Sequence, residues 1–396
     1  MQNFRQYTPT EIVFGKDTQR EAGHLTKKWG ASRVLIIYGG GSVVRSGLLD
    51  TVKEALEEEK IEHAELGGVQ PNPRLSLARE GVQKAIDFQA DMILAVGGGS
   101  VIDTAKAVAI GAANPGKDIW DVFWMGQEPV TKALPTGVVL TIAAAGSETS
   151  DSAVLTNTDT GKKTGLSTEF NRPRFAIMNP ELAATLPKYQ VACGVVDIMM
   201  HTLERYFTPV SRGNQMTDEI AEGLLRTVIE NGKKAWENPA DYEAMSEVMW
   251  CGSLSHNGIT GLGRPKDFLN HKLGHELGAM FDEAHGATLS AVWGSWARYV
   301  YRLDVARFAR YGRMVWEIEE KQEEEAALQA IAATESYFRS IGMPVCLGQM
   351  GMGVQPDEVL KDLAWRATKG DTVQLGSFMK MNAQNMYEIY KSANHG

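Results

Sequence analysis

"ADMILAVGGGSVIDTAKAVAIGAAN", residues 90–114, decides the fold. Met92 to Val96 form an unbroken apolar run of the kind found in a strand buried on both faces. Three glycines follow, and beyond Ser100 the apolar residues recur at helical spacing. Strand, glycine turn and helix in that order form the repeating unit of a parallel sheet.

The order recurs upstream, where "RVLIIYGGGS" (33–42) reads as a strand ending in a glycine turn and "LLDTVKEALEEEKI" (48–61) as an amphipathic helix. "TGVVLTIAAAGSE" (136–148) and "RPRFAIMNP" (172–180) add two more strands. An α/β architecture, a largely parallel sheet with helices on both faces, is therefore expected through residue 187. From Lys188 the strand signals fade and long helical patterns take over, as in "VACGVVDIMMHTLERYF" and "EEEAALQAIAATESYFRSI". A second, all-helical domain is expected over 188–396. Pro187 suits the boundary, because proline ends a preceding helix and fits the first turn of the next. With 396 residues the chain exceeds the usual size of a single core, and a cleft between two domains is the expected place for a ligand.

Apolar residues make up 43% and charged residues 22%, as in ordinary globular proteins. The net charge is −9, and no Lys/Arg-rich block is present to track a phosphate backbone, so no nucleic-acid partner is expected. "MQNFRQYTPTEIVFG" lacks the apolar core of a signal peptide, and no stretch approaches eighteen uncharged apolar residues. No membrane partner and a cytoplasmic location are expected. Cys193, Cys251 and Cys346 are scattered without a C-x-x-C pair, so any metal must be held by His, Asp or Glu. "EIEEKQEEE" (317–325) is expected to form a solvated helix face.

Glycine allows positive φ and close approach of another group. Where Gly97, Gly98 and Gly99 end a strand and Ser100 opens a helix, backbone N–H groups and the positive end of the helix dipole converge on a spot that suits a phosphate. Gly39, Gly40, Gly41 and Ser42 repeat the pattern, and Gly146 and Ser147 follow a third strand. Neither triple-glycine loop matches G-x-G-x-x-G, since Val44 and Ile102 stand where the third glycine belongs. The convergence of three loops still points to a nucleotide.

Asp197 and His201 lie four apart on an expected helix and share a face, as do His271 and His275; His285 follows. One carboxylate with several imidazoles, leaving a position open, is how a divalent cation is held for Lewis-acid chemistry. Spacing alone leaves open which histidines bind and which one stands beside the metal. "HKLGH" has Lys272 where the zinc-peptidase motif H-E-x-x-H needs its glutamate, so a peptidase is a poor reading. His24, His63 and His395 have no companion at ligand spacing, and His256 stays open. Trp250, His256, Asn257, Phe268 and Phe281 lie near the site in sequence and are candidates to line it, although core packing also accounts for the aromatics.

These motifs in this order, "IVFG", "GGGSVIDTAK", "GSE", "NPELAATLP", "GVVDIMMHTLE" and "HKLGHELGAMFDEAH", resemble the iron-containing, metal-dependent alcohol dehydrogenases over nearly the whole chain. The branch they resemble is the butanol-dehydrogenase-like enzymes that reduce aldehydes. The resemblance implies a Rossmann-like dinucleotide-binding domain at 1–187, a metal-binding and substrate domain at 188–396, and a dehydroquinate-synthase-like fold. It further implies metal ligation by Asp197, His201, His271 and His285, with His275 beside the substrate as a proton-relay group. Gly97, Gly98, Gly99 and Ser100 would hold the pyrophosphate, Asp103 and Lys163 would lie toward the nicotinamide, and Thr141 would contact the cofactor. Gly39–Ser42 and Ser147 would complete that site. Family members carry threonine just before "GSE"; here the position is Ala145, which removes a hydroxyl.

NAD-selective relatives place an aspartate after the first strand, whereas Tyr38 to Ser42 contain no acid, so NADP(H) is favoured over NAD(H). The ligand set suits Fe²⁺, Zn²⁺, Ni²⁺ or Co²⁺. The implied activity is reduction of short-chain aldehydes to primary alcohols by a homodimer. Two alternatives differ in class. A lyase of the dehydroquinate synthase type would need a basic cluster for its phosphate-bearing substrate, and only Arg264, Lys266 and Lys272 are near; a non-catalytic metal- or nucleotide-binding protein would have no reason to keep every ligand.

Overall fold

The structure is a computed structural model that describes residues 1–144, 146–209 and 213–396. It divides into two compact units, Tyr7–Leu186 and Pro187–Gly396, with Met1–Gln6 joined to the second.

The first unit contains, in chain order, β1 (Glu11–Phe14), α1 (Ala22–Lys28), β2 (Arg33–Gly39), α2 (Ser42–Arg45), α3 (Leu48–Glu58), β3 (Glu62–Val69), α4 (Leu75–Phe88), β4 (Met92–Gly97), α5 (Gly99–Ala113), β5 (Thr136–Leu140), β6 (Ser152–Asn157), β7 (Lys162–Ser167) and β8 (Phe175–Met178). Six strands form one sheet in the order β1-β8-β5-β4-β2-β3, every pair parallel. Every residue of β4 is buried, as its unbroken apolar run requires of a central parallel strand. Leu49, Val52 and Leu56 of α3 pack with Val34, Ile36, Leu94 and Val96 of the sheet, so the amphipathic stripe of α3 faces inward.

From β2 the chain runs outward to β3, then returns past β2 to β4, so the winding reverses between β2 and β4. Ligands of open α/β sheets bind at the carboxyl ends of the strands at such a reversal. Tyr38 pairs with Val96 at the ends of these two strands, and both triple-glycine loops emerge there. β6 and β7 form a separate antiparallel hairpin, in register from Ser152 opposite Ser167 to Asn157 opposite Lys162.

The second unit is built from α6 (Lys188–Tyr206), α7 (Gln215–Glu237), α8 (Tyr242–His256), α9 (Leu269–Phe281), α10 (His285–Val300), α11 (Val305–Trp316), α12 (Glu323–Ser340), α13 (Asp357–Ala367) and α14 (Ala383–Ala393). Its extended pairing among the described residues is an isolated bridge between Leu375 and Met381. Helix α6 is its central element, buried almost throughout from Val191 to Tyr206 and packed against α7, α8 and α10.

The Gln2 N–H donates to Gly263 O at 2.9 Å, which ties the N-terminal residues to the helical unit, so the α/β unit is shorter than residues 1–187. The acidic run 317–325 is largely exposed, as expected, but only its last three residues are helical. Glu317 adopts a left-handed φ of 55° that ends α11, the next residues are irregular, and Glu323–Glu325 open α12, where the helix dipole favours negative charge. No helix among the described residues is long and apolar enough to cross a membrane.

Candidate metal centre and cofactor loops

At the end of β2, Gly41 has φ 114°, a conformation that L side chains avoid, and it opens α2. A Cβ on Gly41 would lie 3.3 Å from Nη1 of Arg45, so the Arg45 guanidinium stands against this loop. At the end of β4, Gly98 caps α5, and a Cβ there would lie 2.7 Å from Ile142 Cδ1, so glycine lets this loop pack onto the segment after β5. The Thr141 N–H donates to Gly97 O at 3.2 Å. Gly39–Ser42, Gly97–Ser100 and Thr141 are thereby gathered at the carboxyl ends of β2, β4 and β5.

Asp103 is tied into the unit itself. It accepts from Ser147 Oγ at 2.6 Å and from the Val154 N–H at 2.9 Å, joining α5 to the segment 146–150 and to β6. Lys163, on β7, donates to Asn72 Oδ1 at 2.8 Å. Ala145 lies outside the described residues.

Lys106, one turn beyond Asp103 on α5, carries no sequence signal beyond helical spacing, yet it is 1% exposed. Its ammonium donates to Ser147 O (2.7 Å), Ser147 Oγ (3.0 Å), Ser150 O (3.2 Å), Ser150 Oγ (3.3 Å) and Ser152 O (2.8 Å). Burial lowers its pKa to about 8, against the opposing attraction of Asp103 and Glu148.

In the helical unit, α6 presents Asp197 and His201, α9 presents His271 and His275, and His285 is the first residue of α10. Among the described residues, Asp197, His201 and His271 form a group whose ligand atoms all lie within 4.8 Å of one another. His201 Nδ1, His271 Nε2 and His285 Nε2 stand 3.1, 3.5 and 3.7 Å from Asp197 Oδ1. Asp197, His201 and His271 are buried, whereas the His285 side chain is 26% exposed and forms the rim. The His275 ring lies 6.2 Å from that of His271 and 5.2 Å from that of His285, so it borders the cluster.

The His201 Nδ1–H donates to Asp197 O at 2.9 Å, which turns Nε2 of that ring away from its own helix. Two buried polar atoms at the centre, Asp197 Oδ1 and His271 Nε2, receive no hydrogen bond. Such atoms are costly without a partner, and a divalent cation suits both a carboxylate oxygen and an imidazole nitrogen. The residues present thus fit a metal.

Burial pushes the Asp197 carboxyl up, but His201, His285 and His271 outweigh it and hold the group well below the ordinary carboxylate value. Burial lowers the His201 pKa. It also works against protonation of His271, but Glu204 and Asp197 reverse the effect and raise that group to about 9.

Sequence reasoning did not single out Glu204, which contacts His271 through both oxygens. His256 proves to be a close neighbour, its ring tilted by 32° and 4.0 Å from that of His201. Phe268 also lines the site, edge-on to His201 and His271 at 6.0 and 5.2 Å. Trp250 does not bury itself there, being 40% exposed. Of the basic residues a lyase would need, Arg264 is committed to Asp218 and to Tyr206 O.

The model of the iron-containing alcohol dehydrogenase family matches residues 9–180, and that of the C-terminal part of the same family matches residues 191–394. The chain belongs to the iron-containing alcohol dehydrogenase family, and it is an NAD(P)-dependent oxidoreductase. Among its relatives, NADH-dependent butanol dehydrogenase A of Clostridium acetobutylicum is 39% identical, with 99% of this chain and all of the relative covered. The NADPH-dependent aldehyde reductase YqhD of Escherichia coli is 37% identical at the same coverage, 99% and 100%. The crystal structure of NADH-dependent butanol dehydrogenase A from Thermotoga maritima superposes with a TM-score of 0.94 at 37% identity, covering 100% of this chain and 99% of that one.

Proposed function

We propose that this chain is a metal-dependent aldehyde reductase that converts short-chain aldehydes to primary alcohols with a nicotinamide coenzyme. The observation that carries the reading is the buried cluster of Asp197, His201 and His271, rimmed by His285, with an unbonded carboxylate oxygen and an unbonded imidazole nitrogen at its centre. Bound at their sites, the metal supplies Lewis acidity to the carbonyl oxygen and the dihydronicotinamide supplies hydride to the carbonyl carbon. Asp197, His201, His271 and His285 hold the ion, which is Fe²⁺ or Zn²⁺, with Ni²⁺ and Co²⁺ also compatible with the donor set. A ring nitrogen of His275, beside His285 and largely buried, holds the proton that the product oxygen takes, closing the balance of one hydride and one proton per aldehyde.

Gly97–Ser100 receive the pyrophosphate at the start of α5, with Gly39–Ser42, Thr141 and Ser147 around it. Asp103 and Lys163 act toward the nicotinamide, Asp103 through its grip on Ser147. NADP(H) is favoured over NAD(H). The turn after β2 carries no acid to repel a 2′-phosphate, and the Arg45 guanidinium stands against Gly41 with the charge to attract one. The same reading takes the enzyme as a cytoplasmic homodimer, the commonest form of symmetric assembly.

Initial rates of NADPH and NADH oxidation with butanal, before and after chelation and after return of Fe²⁺ or Zn²⁺, test the proposal. Activity is expected to vanish on chelation, to return with metal, and to be higher with NADPH. Undiminished turnover in fully metal-free protein would overturn the reading, and a higher kcat/KM with NADH would overturn the coenzyme preference.

A further inference from the structure

Asp197, His201 and Glu204 occupy positions i, i+4 and i+7 of α6, so the stripe that carries two candidate ligands continues one turn further to a carboxylate. The Glu204 side chain is completely buried, a costly place for a carboxylate unless its oxygens accept hydrogen bonds. Both do, and both from the same residue. Oε1 accepts the backbone N–H of His271 at 3.0 Å, and Oε2 accepts the proton on His271 Nδ1.

The backbone bond has a local cause. His271 is the third residue of α9, where the N–H has no partner within the helix, and Phe268 at the N-cap has a left-handed φ of 54° and offers no side-chain acceptor. Glu204 supplies that acceptor from α6. The ring bond has a chemical consequence: with a proton held on Nδ1 by Glu204, Nε2 is the nitrogen left to present its lone pair to an ion, and it makes no hydrogen bond and faces Asp197 Oδ1 at 3.5 Å. His201 gains the same presentation from its own helix, through Nδ1 to Asp197 O. His271 has no such local acceptor and takes it from a residue 67 positions away.

We propose that Glu204 is a positioning residue of the metal centre, selecting the Nδ1–H tautomer of His271 and fixing its ring so that Nε2 is presented to the ion. The inference rests on the metal-centre reading above. Carboxylate partners of this kind raise ligand basicity, and their loss weakens metal binding about 10–100-fold.

Glu204→Gln is the informative change. The amide has the same shape but a single oxygen, so in either orientation its NH₂ faces one of the two donors of His271. The full-length protein and the E204Q variant, both stripped of metal, are titrated with Co²⁺ against a competing chelator, reading Kd and the d–d absorption, with far-UV circular dichroism of the metal-free forms as the folding check. The expected result is a Kd weakened about 10–100-fold with an altered d–d band, in a variant that folds as the parent does. A Kd within twofold of the parent with an unchanged band would mean that Glu204 only caps α9, and the proposal fails while the metal centre stands. Absence of Co²⁺ binding by the parent would overturn the metal centre and this inference together. Should E204Q not fold, ¹H–¹⁵N correlation spectra of the imidazoles in the Zn²⁺-loaded parent decide: a proton on Nδ1 of His271 supports the assignment, and a proton on Nε2 overturns it.

Discussion

His275 follows His271 by one turn of α9 and is largely buried, and its ring borders the cluster, 6.2 Å from that of His271 and 5.2 Å from that of His285. In the proposed reading, a histidine there serves the reaction and not the metal. His275→Ala is expected to lower kcat for aldehyde reduction about 100-fold, within the usual range for loss of a general acid, while metal content stays at the parent level. Steady-state kinetics across pH with metal analysis of the same samples check this; a loss of metal that parallels the loss of rate would instead make His275 a ligand. The next residue, Glu276, behaves differently. Burial raises its pKa to about 7, with Asp362 adding to the shift and Arg366 and Lys272 opposing it. The folded protein therefore holds a proton there that the unfolded chain has already released, so this group's contribution to stability is fully present below pH ~4.5 and is lost as pH rises through ~7. Glu276→Gln removes the titration, and at pH 8 it is expected to be more stable than the parent by about 2–3 kcal/mol, the difference vanishing near pH 4.5. Urea unfolding of both proteins at several pH values reads the difference directly; a constant offset would refute the assignment.

At the scale of the element, α5 and the segment that follows β5 act as one piece because Lys106 reaches five oxygens of Ser147, Ser150 and Ser152 while Asp103 holds Ser147 from the same helix. Lys106→Met would keep the length of the side chain but take the ammonium from three backbone carbonyls, of which Ser147 O and Ser152 O keep weaker bonds from the Ser150 N–H and Ser150 Oγ, and would remove the nearest positive charge from Asp103. A loss of about 2–4 kcal/mol is expected for removing hydrogen bonds from a charged donor in a buried site, together with weaker NADPH binding and unchanged Co²⁺ affinity. Urea unfolding and separate titrations of coenzyme and metal distinguish that result from a general collapse. Lys106 also shows where reading the sequence ran out. Strands β2, β4, β5 and β8 were legible because buried parallel strands leave continuous apolar runs, and Asp197/His201 and His271/His275 were legible because a helix repeats its face every four residues. A lysine on a helix reads as a surface residue, and its burial is decided by the Ser-rich segment more than forty positions away. Glu204 was within reach, since D-x-x-x-H-x-x-E continues one stripe of α6, whereas the contact of the His256 and His201 rings joins two helices whose approach no local pattern encodes. The β6–β7 hairpin carries polar residues on short strands and lacks the apolar signature of the main sheet.

At the scale of the whole molecule, each unit has its own core, and each holds one of the two proposed sites. The sheet unit carries the glycine loops, and the helical unit carries the histidine cluster on α6, α9 and α10. A ligand stabilises the part of the structure whose opening releases it, by RT ln(1 + [L]/Kd), which is about 2.7 kcal/mol at a hundredfold excess over Kd. Amide hydrogen exchange then separates the sites. Co²⁺ at that excess is expected to slow exchange in α6, α9 and α10 by up to about 100-fold for amides that exchange only when those helices open, with little change at 39–42 and 97–100. NADPH at the same relative excess is expected to protect the loops after β2 and β4 and the first turn of α5, leaving α9 nearly as before. Equal protection of both units by either ligand would mean that they open as one cooperative body, and the assignment of one site to each unit would then have to rest on the variants of His275, Lys106 and Glu204 alone.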